Sequence, residues 1–427
     1  MCRPNICNRL HVVVAALLYA ALAGCTSEPV SLESRPGSLP VVTKVGRPVA
    51  FLHTKAFRED LKTVEPYGNK AYLPLKIGDA SDRALRSAYV QVFEAPREVT
   101  SLEELRSLSG PAAPVAVIEP SIVSFNYVNA SGRYWGPYFS EIVYRFALFD
   151  ATGTRVADWR VRGLGEFDYY RELSERKPVS SSETAWQTEA PRRAVEAAAS
   201  GFVAGFERIP ELIRLTRNLP LAGADVPAVR QATRDTAPEK PGVEASYPGA
   251  FALNVQRAIV PQPPRELVKE EAQVPYLLPL RLTLQNRGTN RLLLDPVDAQ
   301  WLPEGSAESS PQPISPLPAP LVSALIAGRP FGIFVGVMAP GVGTLPALFA
   351  GLVNAAENER QRKDLAAWTA AIERDLLRAG IAVGSASRGG VIYFPRPPKL
   401  DGGTLVIPVI DLDDALRYTV RVPLPAK

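Results

Sequence analysis

The sequence is poor in the residues on which most enzyme chemistry depends. Its three cysteines are Cys2, Cys7 and Cys25, and its two histidines are His11 and His53, so beyond residue 25 only His53 remains of either type. No disulfide can staple the rest of the chain, even in an oxidising compartment, and packing alone must hold it. Zinc has no Cys/His cluster to use. A histidine-based triad has only His53 to draw on, and its place in an apparent strand reads as core or edge packing. Charge of one sign is also missing. The 48 Lys and Arg residues against 44 Asp and Glu residues leave a formal charge of +4, intermixed along the chain, which is no nucleic-acid footprint. Nothing in the pattern asks for a cofactor.

Long apolar runs are confined to two places, and the first organises the chain. Arg3 and Arg9 precede an apolar run from Leu10 to Leu22, broken only by His11 and followed by small residues. That is the pattern of a signal peptide over residues 1–24. The run is too short to cross a hydrocarbon core, which takes roughly 20 apolar residues. The cut would fall between Gly24 and Cys25. Leu22-Ala23-Gly24-Cys25 resembles the lipobox of bacterial lipoproteins. The resemblance implies that Cys25 becomes the first mature residue and carries a diacylglycerol thioether and an amide-linked acyl chain. With about 0.8 kcal/mol per buried methylene, more than one chain gives stable anchoring. Thr26 rather than Asp follows the cysteine, which in the enterobacterial pattern directs the product to the outer membrane, on its periplasmic face.

Beyond the anchor, the composition supports two domains of α+β class. Hydrophobic residues make up 46% of 427, enough for two cores on the length prior. The 41 prolines are about twice the usual share and cluster in stretches that read as linkers. Residues 25–40 read as a flexible tether. A first domain spans 41–218. It has strands at Pro48–Thr54 and Ala71–Ile77, then a helix capped by Asp79 or Ser81 with Leu85, Ala88, Tyr89, Val92 and Phe93 on one face. Ser101 to Glu104 has capping-box spacing. Val115–Val128, Glu141–Asp150 and Arg155–Gly163 read as an antiparallel meander turning at Asp150–Gly153. Pro191 sits in the first turn of a helix whose apolar face carries Val195, Ala198, Phe202, Phe206 and Ile209, and Pro210 starts another turn.

The segments Ala116–Ile122 and Ile142–Asp150, with the Ala-rich helix from Ala194, resemble small domains of envelope lipoproteins, including accessory lipoproteins of lipopolysaccharide assembly and of export machinery. The resemblance covers roughly a third of the chain and implies a fold, not a site. Residues 219–250 lack any apolar period and read as a linker. Residues 251–427 carry seven short candidate strands, at 251–260, 276–285, 291–294, 299–302, 391–394, 404–410 and 417–424. Alternation at Leu278, Leu280, Leu282, Leu284 and at Tyr418, Val420, Val422, Leu424 points to an immunoglobulin-like β-sandwich. A helical hairpin at about 321–380 interrupts it, its second helix opening near Asn354, presenting Leu365, Trp368, Ile372, Leu376 and Ala379, and closing at Gly380.

Two features invite a functional reading. Gly132 to Phe139 puts Tyr134, Trp135, Tyr138 and Phe139 on a Gly/Pro loop between strands, and such rings dominate binding hot spots; alternatively the loop folds its rings onto its own sheet. The second apolar run, Pro330–Val353, is uncharged and offers burial against the sandwich, membrane contact, or self-association through Gly332 and Gly336. Ser174-x-x-Lys177 has the spacing of penicillin-recognising enzymes without their partner motifs and reads as a solvated loop. Asp411, Asp413 and Asp414 lack the glycine and glutamate of an EF-hand and read as a turn. The expectation is a non-catalytic lipoprotein, anchored in the outer membrane through Cys25, that binds an envelope protein partner in assembly or transport. The alternatives are a lipid- or ligand-handling auxiliary subunit of an export system and a hydrolase without histidine chemistry.

Overall fold

Strict two-residue alternation over a dozen positions makes a long hairpin the natural centre of the first domain. In the computed structural model, which describes residues 29–32, 39–64, 73–108, 110, 113–129, 138–175, 177, 182–221, 225–229, 232–234, 242–259, 277–303, 314–318, 322, 367–368, 370–395 and 402–424, that hairpin is present. The expected signal peptide, Cys25, most of the expected tether and Pro330–Val353 lie outside these residues.

The first domain runs β1 (Val30–Ser31), β2 (Val49–Phe51), α1 (Lys55–Arg58), β3 (Leu61–Val64), β4 (Leu73–Lys76), α2 (Ile77–Val92), β5 (Arg97–Glu98), α3 (Leu102–Ser107), β6 (Ala116–Asn129), β7 (Tyr138–Asp150), β8 (Arg155–Phe167), α4 (Tyr169–Ser174), α5 (Glu183–Gly205) and α6 (Pro210–Thr216). Its main sheet has the order β5-β2-β6-β7-β8, with β6-β7-β8 antiparallel and β2 parallel to both neighbours. One face of the meander, Ile142, Tyr144, Phe146 and Leu148, is fully buried against Leu85, Ala88, Tyr89 and Phe202 of α2 and α5. Burying a side chain of that size contributes roughly 1.5–3 kcal/mol, so this layer of helices on sheet supplies the main core, beside a smaller cluster of Ala50, Leu52, Val99, Leu105 and Val117. Phe51 stacks on Tyr89 at 3.5 Å and Phe146 packs on Phe202 at 4.9 Å.

Several local expectations change. The helix α2 starts at Ile77 behind Lys76, which offers no side-chain cap. Ser81 instead turns inward, donating to Ile77 O and meeting the Tyr144 hydroxyl at 2.6 Å, because it lies on the buried face. Asp79 pairs with Arg83 one turn on. Ser101 does cap α3, accepting from Glu104 N at 3.1 Å, while Glu104 reaches back to Thr100 N rather than to Ser101. Pro191 lies inside α5, which begins two turns earlier at Glu183; tertiary packing of Trp186 and Ala190 outweighs the missing donor. The tether is not free throughout. Val30–Ser31 pairs in parallel with Leu75–Lys76, Arg83 donates to Leu32 O at 2.7 Å, and Leu32 is 1% exposed.

The second domain continues β9 (Asp225–Val229), β10 (Ala232–Arg234), β11 (Gly242–Tyr247), β12 (Phe251–Arg257), β13 (Leu277–Asn286), β14 (Leu292–Leu294), β15 (Gln300–Pro303), β16 (Gly380–Ala382), β17 (Ser387–Pro395), β18 (Gly403–Asp411) and β19 (Leu416–Leu424). Two sheets, β10-β11-β12-β13-β17 and β16-β14-β18-β19-β9 with β15 on β18, share one buried cluster that includes Leu280, Leu282, Leu284, Ile407, Val420 and Trp301. The expected linker 219–250 therefore contains three strands of these sheets. Their sequence shows no period because β9 pairs in parallel with β19 and β10–β11 extend an existing edge, so their conformation is set by partners. Within the expected hairpin, Trp368 and Ile372 are buried and helical, but the helix has ended by Leu376, which bridges to Val391, and Gly380 opens β16 instead of closing a helix. The class is α+β, with mixed helices and strands in several sheets.

Candidate functional site

Of the four rings at the aromatic hairpin end, the described residues include Tyr138 and Phe139. Tyr138 is the first residue of β7, fully buried, with its ring 5.9 Å from Tyr127 across the strand pair. Pairing of Tyr138 with Asn129 and Phe167 carries regular sheet to the end of the hairpin, so alternation turns Tyr138 into the core. That is the alternative of a ring folded onto its own sheet, and it leaves Tyr138 no exposed surface for docking. Phe139, one position on, is half-buried. Tyr134 and Trp135 lie outside the described residues, as do Gly24 and Cys25.

His53 is engaged more fully than packing requires. It follows β2, is 4% exposed, and is held by the Asp82 carboxylate at Nδ1 and the Tyr89 hydroxyl at 3.3 Å from Nε2. Asp82 also accepts from Arg86 at 2.9 Å, and Arg86 forks onto Glu98. Burial alone would raise the Asp82 carboxyl; the hydrogen bonds from His53 and Arg86 outweigh it and lower the group to about 2. The adjoining cavity, about 170 Å³, is lined by Phe51, His53, Arg86, Tyr89, Val90, Pro96 and Glu98. That lining holds no serine, threonine or cysteine for His53 to activate, and the arrangement orients the histidine within a charge network joining β2, α2 and β5.

The seam between the domains holds several buried charges. Glu211 of α6 is fully buried and receives both Arg417 nitrogens of β19, Nη1 at 2.7 Å and Nη2 at 3.0 Å, a fork geometry that fixes orientation. Arg217 donates to Asp413 O at 2.7 Å. Ile213 packs with Leu293, Ile410, Leu412 and Ala415 beside them. On the edge strand β8, the Arg160 backbone N–H donates to Asp298 Oδ1 at 2.8 Å and its Nη1 to Ser315 Oγ at 2.5 Å, while Arg162 donates to Pro316 O. Arg162 Nε also lies 2.7 Å from Glu141 Oε1, though off the line a hydrogen bond needs. Desolvation, reinforced by Asp295, pushes the Asp298 carboxyl up to about 7.

A cleft of about 350 Å³ opens along this seam, between β8 and the outer face of β18 and β19. Domain junctions are a preferred place for small-molecule sites. Its residues were not legible beforehand, because Arg160 and Asp298 stand 138 positions apart. The only local signal is Arg160 and Arg162 placed at alternate positions on one face of a strand.

The weaker motifs resolve locally. Ser174 Oγ donates to Arg171 O and Lys177 pairs with Glu175 at 2.6 Å, so no Ser–Lys pair forms. Asp411 Oδ1 accepts from the backbones of Asp413 and Asp414, and Arg291 holds Asp413 at 2.7 Å: the three aspartates close a turn. No cluster of three metal-ligating side chains occurs among the described residues, and no described helix is long and apolar enough to cross a membrane. Comparison with known proteins adds little to this geometry. No family model matches the chain, and no curated protein does. Among solved structures, a hypothetical protein from Chlamydia trachomatis is similar over 38% of this chain and 99% of its own, at 14% identity and a TM-score of 0.19.

Proposed function

We propose that this protein is a lipid-anchored lipoprotein of the outer membrane, non-catalytic, whose two domains bind a protein partner in envelope assembly or transport. The observation that carries the reading is Leu22-Ala23-Gly24-Cys25 followed by so short a leash. Four residues separate Cys25 from Val30, where β1 joins the fold. At roughly 3.6 Å per residue, an acylated Cys25 would hold the first domain within about 18 Å of the lipid. Such a leash favours a partner that is itself in or at the membrane over one reached by free diffusion.

The second domain fits an immunoglobulin-like sandwich, a frequent interaction scaffold. Supporting this, β13 lies beside β17 in one sheet and β14 beside β18 in the other, the B–E and C–F neighbour relations of that fold; the fold itself implies no activity. The ligand-handling alternative is favoured by one observation, the cleft at the seam.

Replacing Cys25 with Ala and fractionating cells labelled with radioactive palmitate tests the anchor. The expected outcome is loss of label and release of the chain from the membrane fraction. Unchanged labelling and partition would refute it.

A further inference from the structure

We propose that the cleft between the two domains binds a small organic oxyanion, its carboxylate or phosphate seated on the guanidinium of Arg160. The inference starts from a charge that the fold leaves uncompensated. Arg160 is 8% exposed, and among the described residues its guanidinium bonds only Ser315 and its buried Nε has no partner. Among the described residues no carboxylate lies within ion-pair reach of it. The two other arginines of the cleft are already matched, Arg155 by Asp158 and Arg417 by Glu211. An isolated buried charge is costly unless something pairs with it, and a guanidinium fork is shaped to take an oxyanion through two N–H groups at once.

Asp298 is the acid that acts most strongly on Arg160 but does not fill this role. Its carboxylate accepts the Arg160 backbone N–H, and burial holds its carboxyl near neutrality, up to about 7. The other charged groups facing it are Asp295 on the same turn, Arg160 on β8 and Arg417 on β19, while Asp158, Arg145 and Arg162 face Arg160. Burial favours the protonated form of Asp298, which weakens the one acid whose backbone contact brings it to Arg160. Val156, Val406 and Pro408 supply apolar wall for the carbon skeleton of the ligand. The volume of about 350 Å³ is at the small end of organic-ligand sites.

The test uses the purified full chain in detergent, with succinate, glycerol phosphate and inorganic phosphate as probes at matched ionic strength, read by calorimetric titration. At least one probe is expected to bind saturably, with about tenfold or greater loss of affinity in Arg160→Gln and little change in Arg287→Gln, a surface control far from the cleft in sequence. Asp298→Asn, which keeps an acceptor for the Arg160 N–H, is expected to tighten binding at about pH 8, where the native carboxylate is ionised. Glycerol phosphate outranking succinate would indicate a phosphate ester, such as a lipid headgroup fragment; the reverse order would indicate a free carboxylic acid. The proposal is overturned if no probe binds saturably, or if Arg160→Gln binds as the native chain does. Should Arg160→Gln fail to fold, unchanged affinity in Asp298→Asn at the higher pH overturns it equally.

Discussion

Replacing Gly163 with Ala puts a single methyl where the first domain has no room. At Gly163 a Cβ would lie 1.9 Å from Ala194 O and 2.5 Å from Ala198 N; at Gly165 it would lie 1.9 Å from Ala190 O and 2.5 Å from Ala194 N. These are backbone atoms of α5, so no side-chain rotation relieves the clash. To restore ordinary contact, which begins at 3.4 Å, the helix would retreat by about 1.5 Å in a close-packed interior. Val195, Ala198 and Phe202, all buried on that face, would lose their packing with it. Overpacking typically costs about 1–3 kcal/mol, and immovable backbone puts this case at the upper end, about 3 kcal/mol. For a unit of this size that is a fall of roughly 6–12 °C in melting temperature, measured by calorimetry or circular dichroism. Gly205→Ala is the control. That glycine has open space around its Cβ and helical φ −97° and ψ −9°, so the change should be neutral or stabilise by up to about 1 kcal/mol. If Gly163→Ala melts within about 2 °C of the native protein, the close approach of β8 and α5 is wrong.

Leu32→Ala is expected to cost about 2–5 kcal/mol, as truncation of a buried leucine does; a tether that is coil throughout would show no change in a denaturant titration. Asp298→Asn tests the buried carboxyl at the seam. Because its folded pKa is raised from 3.8 to about 7, the native state holds a proton that the unfolded chain has released, so its contribution is greatest below about pH 4 and falls away as pH rises through about 7. At about 1.4 kcal/mol per unit the full swing is on the order of 4 kcal/mol, and the asparagine variant should gain on the native protein between about pH 5 and pH 8. Parallel stability curves across that range would sink the assignment.

What could be read from the sequence was local. The alternation of Ile142, Tyr144, Phe146 and Leu148 declares a buried sheet face, and Leu85, Ala88, Tyr89 and Val92 declare the helix that covers it, since each pattern records a surface facing one direction. The Ser101 cap is local as well. By contrast, β1 and β9–β11 are strands only because a partner edge is waiting for them; Val30 and Ser31 carry no period of their own, and Asp225–Val229 reads as linker until β19 is beside it. Local sequence leaves Tyr138 undecided between loop and core for a related reason. Gly136 and Pro137 suggest a loop that continues past them, whereas pairing with β8 resumes regular sheet at Tyr138. The candidate site is the extreme case, because its walls come from β8, β15, β18 and β19 and no window of sequence contains it.

One strand joins these observations. An edge strand of 13 residues, as β8 is, exposes a row of unpaired N–H and C=O groups that invites pairing with another chain. Here the inner face of β8 narrows to Gly163 and Gly165 between Trp159 and Phe167, so that α5 can lie on it, and its open edge is turned to the second domain. Arg160 gives its backbone N–H to Asp298, and Arg162 reaches Pro316 O. The second domain thus covers part of an aggregation-prone edge while taking its orientation from that edge. A side chain capping a backbone N–H is weaker and more adjustable than continuing the sheet with another strand would be, with roughly 1 kcal/mol in a single bond. The buried Glu211–Arg417 fork then supplies the fixed point about which the seam closes. The cleft is what remains where side chains, rather than a strand, meet β8. Its shape therefore depends on the angle between the domains, and an occupant touching Arg160 on one wall and the outer face of β18 and β19 on the other would hold that angle.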